Sequence, residues 1–141
     1  MSTHTLIYTS VANQKMADNE LKELLKKSRA NNSSLEITGM LLYLDPFFIQ
    51  VLEGDEVVIN KAFDTIKQDP RHYKVSIIYK KLIPHRLFPD WTMGFNKITK
   101  ESIEKIEGYS DYLQKPSIEF FNRSPNKVFE LLNLFKREIL F

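Results

Sequence analysis

Gln50 stands in the middle of an apolar run, FFIQVLE (47–53), between Ile49 and Val51. Alternation along a strand puts it on one face with Phe48 and Leu52. If that face is covered, a carboxamide sits among hydrocarbons, and leaving it unpaired costs roughly 1–3 kcal/mol. Tyr8 poses the same question in TLIYTS (5–10), where it shares a face with Leu6 and Ser10. A phenol and an amide on adjacent central strands would meet. Such a pair is either an ordinary satisfied core hydrogen bond or a polar contact kept for a ligand.

Two polar clusters bear on that choice. Asn31-Asn32 closes one helical pattern, and Asp69-Pro70-Arg71-His72 closes another. Ordinary helix termination accounts for both. The functional alternative is a slot between the two helices, walled by Leu24, Leu41 and Ile66, with both clusters at the same edge of the sheet. A flat aromatic ligand with a charged tail fits such a slot.

The elements that must position these groups follow from periodicity. Thr5–Ser10 reads as a strand, and Ala17–Ala30 as a helix with Asp18 as N-cap and Leu21, Leu24, Leu25 and Ser28 at helical spacing. Asn31 to Ser34 is expected to stop that helix. Glu36–Leu44 and Phe47–Glu53 read as a hairpin joined at Asp45-Pro46. Gly54-Asp55 opens a second helix, with Val58, Ile59, Ala62, Phe63 and Ile66 as its apolar stripe and Pro70 as its stop. Lys74–Leu82 is a fourth strand and Trp91–Phe95 a short fifth. The order βαββαβ plus one strand predicts an α+β, ferredoxin-like sheet with two helices on one face. Beyond residue 98, helical patterns over Thr99–Tyr112 and Pro125–Leu140 flank Pro116. The second carries Val128, Phe129, Leu132, Phe135, Ile139 and Leu140, a stripe that needs either the open sheet face or a partner subunit.

Composition removes many chemistries. The 141 residues contain no cysteine, so thiol catalysis, zinc–thiolate sites and disulfide scaffolds are out. Twenty basic against 18 acidic residues leave a net charge of +2, which gives no argument for nucleic-acid binding. No run approaches the roughly 18 apolar residues of a membrane span, and no export signal precedes the first strand, so a soluble, cytoplasmic protein is expected. The four glycines are isolated, the three histidines lack metal spacing, and no Gly-x-Ser-x-Gly occurs. An acylphosphatase-like hydrolase of this topology needs an arginine in the loop after the first strand. Val11-Ala12-Asn13-Gln14-Lys15 has none.

LIYTS, SRANN, EITGMLLY, FFIQVLEG, QDPRH and FPDWTMGF occur in that order. Together these motifs resemble the BLUF photoreceptors, which sense blue light using FAD, from about Leu6 to Ile98. The resemblance implies a flavin-binding domain over 1–98 and a helical extension over 99–141 for signal relay or oligomer contact. It also implies that Tyr8 donates an electron and a proton toward the flavin. Gln50 would bridge the phenol and the ring at N5 and O4. Asn32 would hold the ring's carbonyl edge with Asn31 close by, and Trp91 and Met93 would be fifth-strand residues near Gln50. Arg71 and His72 match positions near the ribityl-phosphate end, with Asp69 and Thr65 in the same region. Thr65 stands where the family often has a basic residue.

By the same resemblance, the response is not enzymatic. Tyr8 and Gln50 undergo proton-coupled electron transfer and hydrogen-bond rearrangement, and absorption moves to the red. The short members act on other proteins, so a downstream protein partner is expected, and the apolar residues of the last helical pattern suggest self-association as a dimer or ring. A flavin-free ferredoxin-like interaction module, with an ordinary Tyr–Gln core pair, remains the alternative. A yellow purified protein separates the two.

Overall fold

The computed structural model describes residues 3–99, 101 and 117–135, and the expected helix over Thr99–Tyr112 lies almost wholly outside them. The chain runs β1 (Thr3–Ala12), α1 (Asp18–Leu35), β2 (Thr38–Leu44), β3 (Phe47–Asp55), α2 (Glu56–Lys67), β4 (His72–Ile83), β5 (Gly94–Lys97), α3 (Ile118–Arg123) and α4 (Pro125–Phe135). The five strands form one mixed sheet in the order β4-β1-β3-β2-β5, with β5 parallel to β2 and the other pairs antiparallel. This is the α+β, ferredoxin-like arrangement, with β1 and β3 central.

Alternation sorts the sheet into two cores. Leu6, Tyr8, Leu41, Phe48 and Leu52 face α1 and α2, which bring Leu21, Leu25, Ile59 and Phe63. Ile7, Met40, Leu42, Ile49 and Val51 face the other way, against Phe121 of α3 and Val128, Leu131, Leu132 and Phe135 of α4. The stripe of α4 as far as Phe135 therefore packs on the sheet, while Ile139 and Leu140 of the expected stripe lie outside the described residues. Asn122 adds a polar anchor, its Oδ1 accepting from the buried Thr9 hydroxyl on β1.

Several boundaries differ from those the sequence predicts. Ala17, not Asp18, is the N-cap of α1, and the Glu20 carboxylate accepts from its backbone N–H at 3.1 Å. Asn31 to Ser34 do not stop α1. They form its last turn, and Glu36 ends it in the left-handed region at φ 56°. A buried Asn32 at that turn is compatible with helix because its amide finds a partner on the far loop, as shown below. β5 begins at Gly94, so Trp91 and Met93 lie in the loop ahead of it and not on the strand. α2 starts as expected, with the Asp55 carboxylate accepting from Val57 N at 3.1 Å.

Candidate functional site

Tyr8 and Gln50 are direct cross-strand partners in the β1–β3 register. Both point to the face covered by α1 and α2 and are only 3% and 5% exposed. The Tyr8 hydroxyl donates to Gln50 Oε1, and Gln50 Nε2 donates to Met93 Sδ at 3.3 Å. The second amide N–H of Gln50 has no partner among the described residues. Burial, with a smaller contribution from the Asp69 carboxylate, pushes the Tyr8 phenol well above its ordinary value. The proton is thereby held firmly on the phenol.

A cavity of about 70 Å³ opens beside this pair, lined by Met16, Leu24, Leu41, Phe48, Ile66, Asp69, Arg71 and His72 among others. A second, of about 370 Å³, shares Ser28, Gln50 and Ile66 with the first and continues past Asn31, Asn32, Leu35 and Thr65. The two are halves of one slot between α1 and α2, with Gln50 in its floor.

The expectation that both polar clusters share one edge is wrong. β1 and β3 are antiparallel, so the helices that follow them run in opposite directions. Asn31 and Asn32 end α1 beside the Thr38–Glu53 end of the sheet, where Ile37 N donates to Asn32 O. Arg71 ends the α2 connection at the other end, where Asn13 N donates to its carbonyl at 2.9 Å. The slot therefore has an amide end and a charged end.

At the amide end, Asn32 Nδ2 donates to Thr92 O at 2.7 Å, which leaves Oδ1 to accept. Asn31 is exposed at the mouth. At the charged end, the Arg71 guanidinium binds the Asp69 carboxylate through Nε and Nη2, which holds the Asp69 carboxyl below its usual range and leaves Nη1 for another acceptor. His72 is fixed at both nitrogens: Nε2 lies 2.7 Å from Ile66 O and Nδ1 2.8 Å from Ser10 Oγ. A carbonyl can only accept, so Nε2 carries the proton in the neutral ring and Nδ1 then accepts from Ser10.

Sequence reasoning missed how His72 reaches this face. The β1–β4 register shifts between Thr9↔Ser76 and Val11↔Tyr73, and Lys74 in the shift has φ 52°. One extra residue reverses the alternation, so His72 pairs with Ala12 and turns toward the slot. No period-2 pattern shows a bulge formed by a lysine. Met93 and Trp91 separate cleanly. Met93 is buried against Gln50, whereas Trp91 belongs to the opposite core, stacked on Phe88 at a centroid distance of 5.7 Å. Gly94 permits this, since a Cβ there would lie 2.6 Å from the Trp91 ring.

These residues suit the flavin implied by the resemblance. A flat ring needs a narrow apolar slot, which Leu24, Leu41 and Ile66 provide. Its carbonyl and imide edge needs mixed donors and acceptors, which Asn32 Oδ1 and the free N–H of Gln50 supply. Its phosphates need a cation, and Arg71 retains donors at the far end.

The comparisons with known proteins agree. The family model for sensors of blue light using FAD (BLUF) matches residues 3–94. The beta subunit of the photoactivated adenylate cyclase of Euglena longa is 32% identical over 112 residues, which is 79% of this chain and 13% of that protein. The blue light- and temperature-regulated antirepressor BluF of Escherichia coli is 32% identical over 84 residues, 60% of this chain and 21% of that protein. The present chain thus spans a small part of these relatives. Among solved structures, BlsA in its photo-activated state superposes with a TM-score of 0.78 at 28% identity, covering 99% of both chains. The dark state of BlrB gives 0.73 at 24% identity over 92% of this chain, a likeness of fold. With a family match over residues 3–94 and a slot above a buried phenol–amide pair, the chain belongs to the BLUF family of blue-light sensors, whose cofactor is FAD.

Proposed function

We propose that this chain is a blue-light photoreceptor that signals through proton-coupled oxidation of Tyr8 and rearrangement of the Gln50 hydrogen bonds, with output by protein–protein contact and not by catalysis. The observation that carries this reading is the Tyr8–Gln50 hydrogen bond in the floor of the slot. When bound, the flavin supplies blue-light absorption and, once excited, an electron acceptor. Tyr8 is the oxidisable group, and its proton already points at Gln50 Oε1. Gln50 can exchange its roles in place. Rotation of the amide, or conversion to the imidic tautomer, presents a donor where there was an acceptor, with no backbone movement. Hydrocarbon walls exclude water, which raises the energy of each such change.

Asn32, with Asn31 near it, holds the polar edge of the ring, and Arg71, Asp69 and His72 order the phosphate end. Met93 senses the amide directly, since its sulfur is the present acceptor of Gln50 Nε2. Thr9, next to Tyr8 on β1, bonds to Asn122 of α3, so the helices on the back face rest on the strand that carries the phenol. That placement favours residues 99–141 as the relay. Among the described residues no helix is long and apolar enough to cross a membrane. The proposed setting is the cytoplasm, with a homo-oligomer and a downstream protein as partners and no role for nucleic acid or lipid.

The test is an absorption spectrum of the purified yellow protein before and after blue light. A small red shift that reverses in the dark is expected, lost in Tyr8→Phe. Gln50→Leu retains flavin but does not shift. A normal shift in Tyr8→Phe removes the phenol from the mechanism, and an intact photocycle in Gln50→Leu removes the amide.

A further inference from the structure

Glu53 lies three residues beyond Gln50 on β3, on the opposite face, and is 0% exposed. Its carboxylate gathers three donors. Leu87 N donates to Oε2 at 2.6 Å, and Phe88 N and the Thr38 hydroxyl donate to Oε1, each at 3.0 Å. The direction of the last bond is forced. Arg86 Nη1 has no lone pair and donates to Thr38 Oγ1 at 2.9 Å, so the hydroxyl proton must go to Glu53. Arg86 Nη1 also reaches the Glu53 carbonyl at 3.1 Å. One buried acid therefore ties the β4–β5 loop to the end of the central strand β3.

That loop carries both residues next to the switch. Phe88, held by Glu53, is the surface on which Trp91 stacks, and Trp91 N donates back to Phe88 O at 3.3 Å. Gly39 N fixes the Trp91 carbonyl at 3.0 Å. The next residues cross to the front, where Asn32 holds the Thr92 carbonyl and Arg29 Nε holds the Met93 carbonyl at 2.9 Å. With Trp91 seated behind the sheet, the chain delivers Met93 to Gln50.

We infer that Glu53 is a positioning residue of the photoswitch: by gripping the Leu87 and Phe88 N–H groups it holds Trp91 behind the sheet and Met93 against Gln50. It touches neither flavin nor Gln50 and acts through the loop. For its kinetic consequence the inference rests on the light-sensing reading above. Its dark-state consequence does not.

The test uses Glu53→Gln in the full flavin-bound chain. Whichever way the new amide turns, its –NH2 faces at least one backbone N–H. Trp91 is the only tryptophan in the chain, so its emission and acrylamide quenching report its seat alone. In the dark, Trp91 emission is expected to move to the red and quenching to rise. After blue light, the rate of dark recovery is expected to change by about fivefold or more, the rate equivalent of one ordinary hydrogen bond. Asp55→Ala, which removes the α2 cap, serves as the stability control and leaves both readouts at wild-type values. A lowered unfolding midpoint in Glu53→Gln, with Trp91 emission and recovery unchanged, overturns the inference. If Glu53→Gln does not fold, Thr38→Val, which removes one donor, decides by the same two readouts. If the wild type shows no light-induced shift, the light-sensing reading fails, and dark emission of Trp91 alone decides the positioning role.

Discussion

The Tyr8–Gln50 contact can be weighed by a double-mutant cycle. Tyr8→Phe keeps the ring and its packing against Phe63, at a centroid distance of 5.5 Å, but strands Gln50 Oε1 in a site 5% exposed. Gln50→Leu does the converse, stranding a phenol that is 3% exposed. Each single change leaves one buried polar group without its partner, which costs about 1–3 kcal/mol. The double variant strands neither and places two apolar side chains face to face, so its cost falls to about 1 kcal/mol or less. The expected coupling is therefore about 1–3 kcal/mol of non-additivity, far outside the roughly 0.5 kcal/mol seen for independent sites. Urea unfolding in the dark measures it, with the flavin Kd of each of the four proteins measured and its linkage contribution subtracted. Additivity within about 0.5 kcal/mol would refute the claim that these two groups satisfy each other in a dry environment.

Four further outcomes are expected. Gly39→Ala places a Cβ 1.9 Å from Val51 O, a backbone atom that cannot step aside, and should cost about 3 kcal/mol in urea unfolding; a loss below about 1 kcal/mol would mean that β2 shifts freely. Lys74→Gly relieves a side chain held at φ 52° and should raise stability by about 0.5–1 kcal/mol, whereas a fall would assign the lysine side chain a contact of its own. The Asp69 carboxyl is held low chiefly by the Arg71 hydrogen bonds, so its contribution is present above the unfolded value near pH 4 and fades as pH falls through the lower folded value. Asp69→Asn should flatten acid unfolding in that range by less than about 1 kcal/mol, since the pair is partly exposed. Burial raises Tyr43 to about 12 and Tyr8 further, so stability carried by these phenols is full below the unfolded value near pH 10 and declines above it, as the unfolded chain loses its protons first. Tyr8→Phe should accordingly lessen alkaline destabilisation, and an unchanged alkaline limb would count against a buried, protonated phenol.

The pairing of Tyr8 with Gln50 was legible from the one-dimensional pattern. Alternation assigns each to a face, and a polar residue within an apolar alternation marks itself. The apolar walls were legible for the same reason: Leu24 and Ile66 fall on helical stripes, and Leu41 on the covered side of a strand. Local signals failed where a tertiary partner overruled them. Asn31-Asn32 reads as a helix stop, yet α1 continues because the Asn32 amide is satisfied by Thr92, sixty residues away. His72 gains its orientation from a bulge at Lys74, and Trp91 and Met93 take opposite sides because Gly94 leaves room for an indole and Glu53 anchors Phe88. Which end of the slot is charged depended on the antiparallel run of the two helices, a property of strand order and not of either helix alone. Side-chain periodicity is local and survives in the sequence. Contacts between residues far apart in the chain exist only once the sheet has closed, and those contacts decided the ends of the slot and the seats around Gln50.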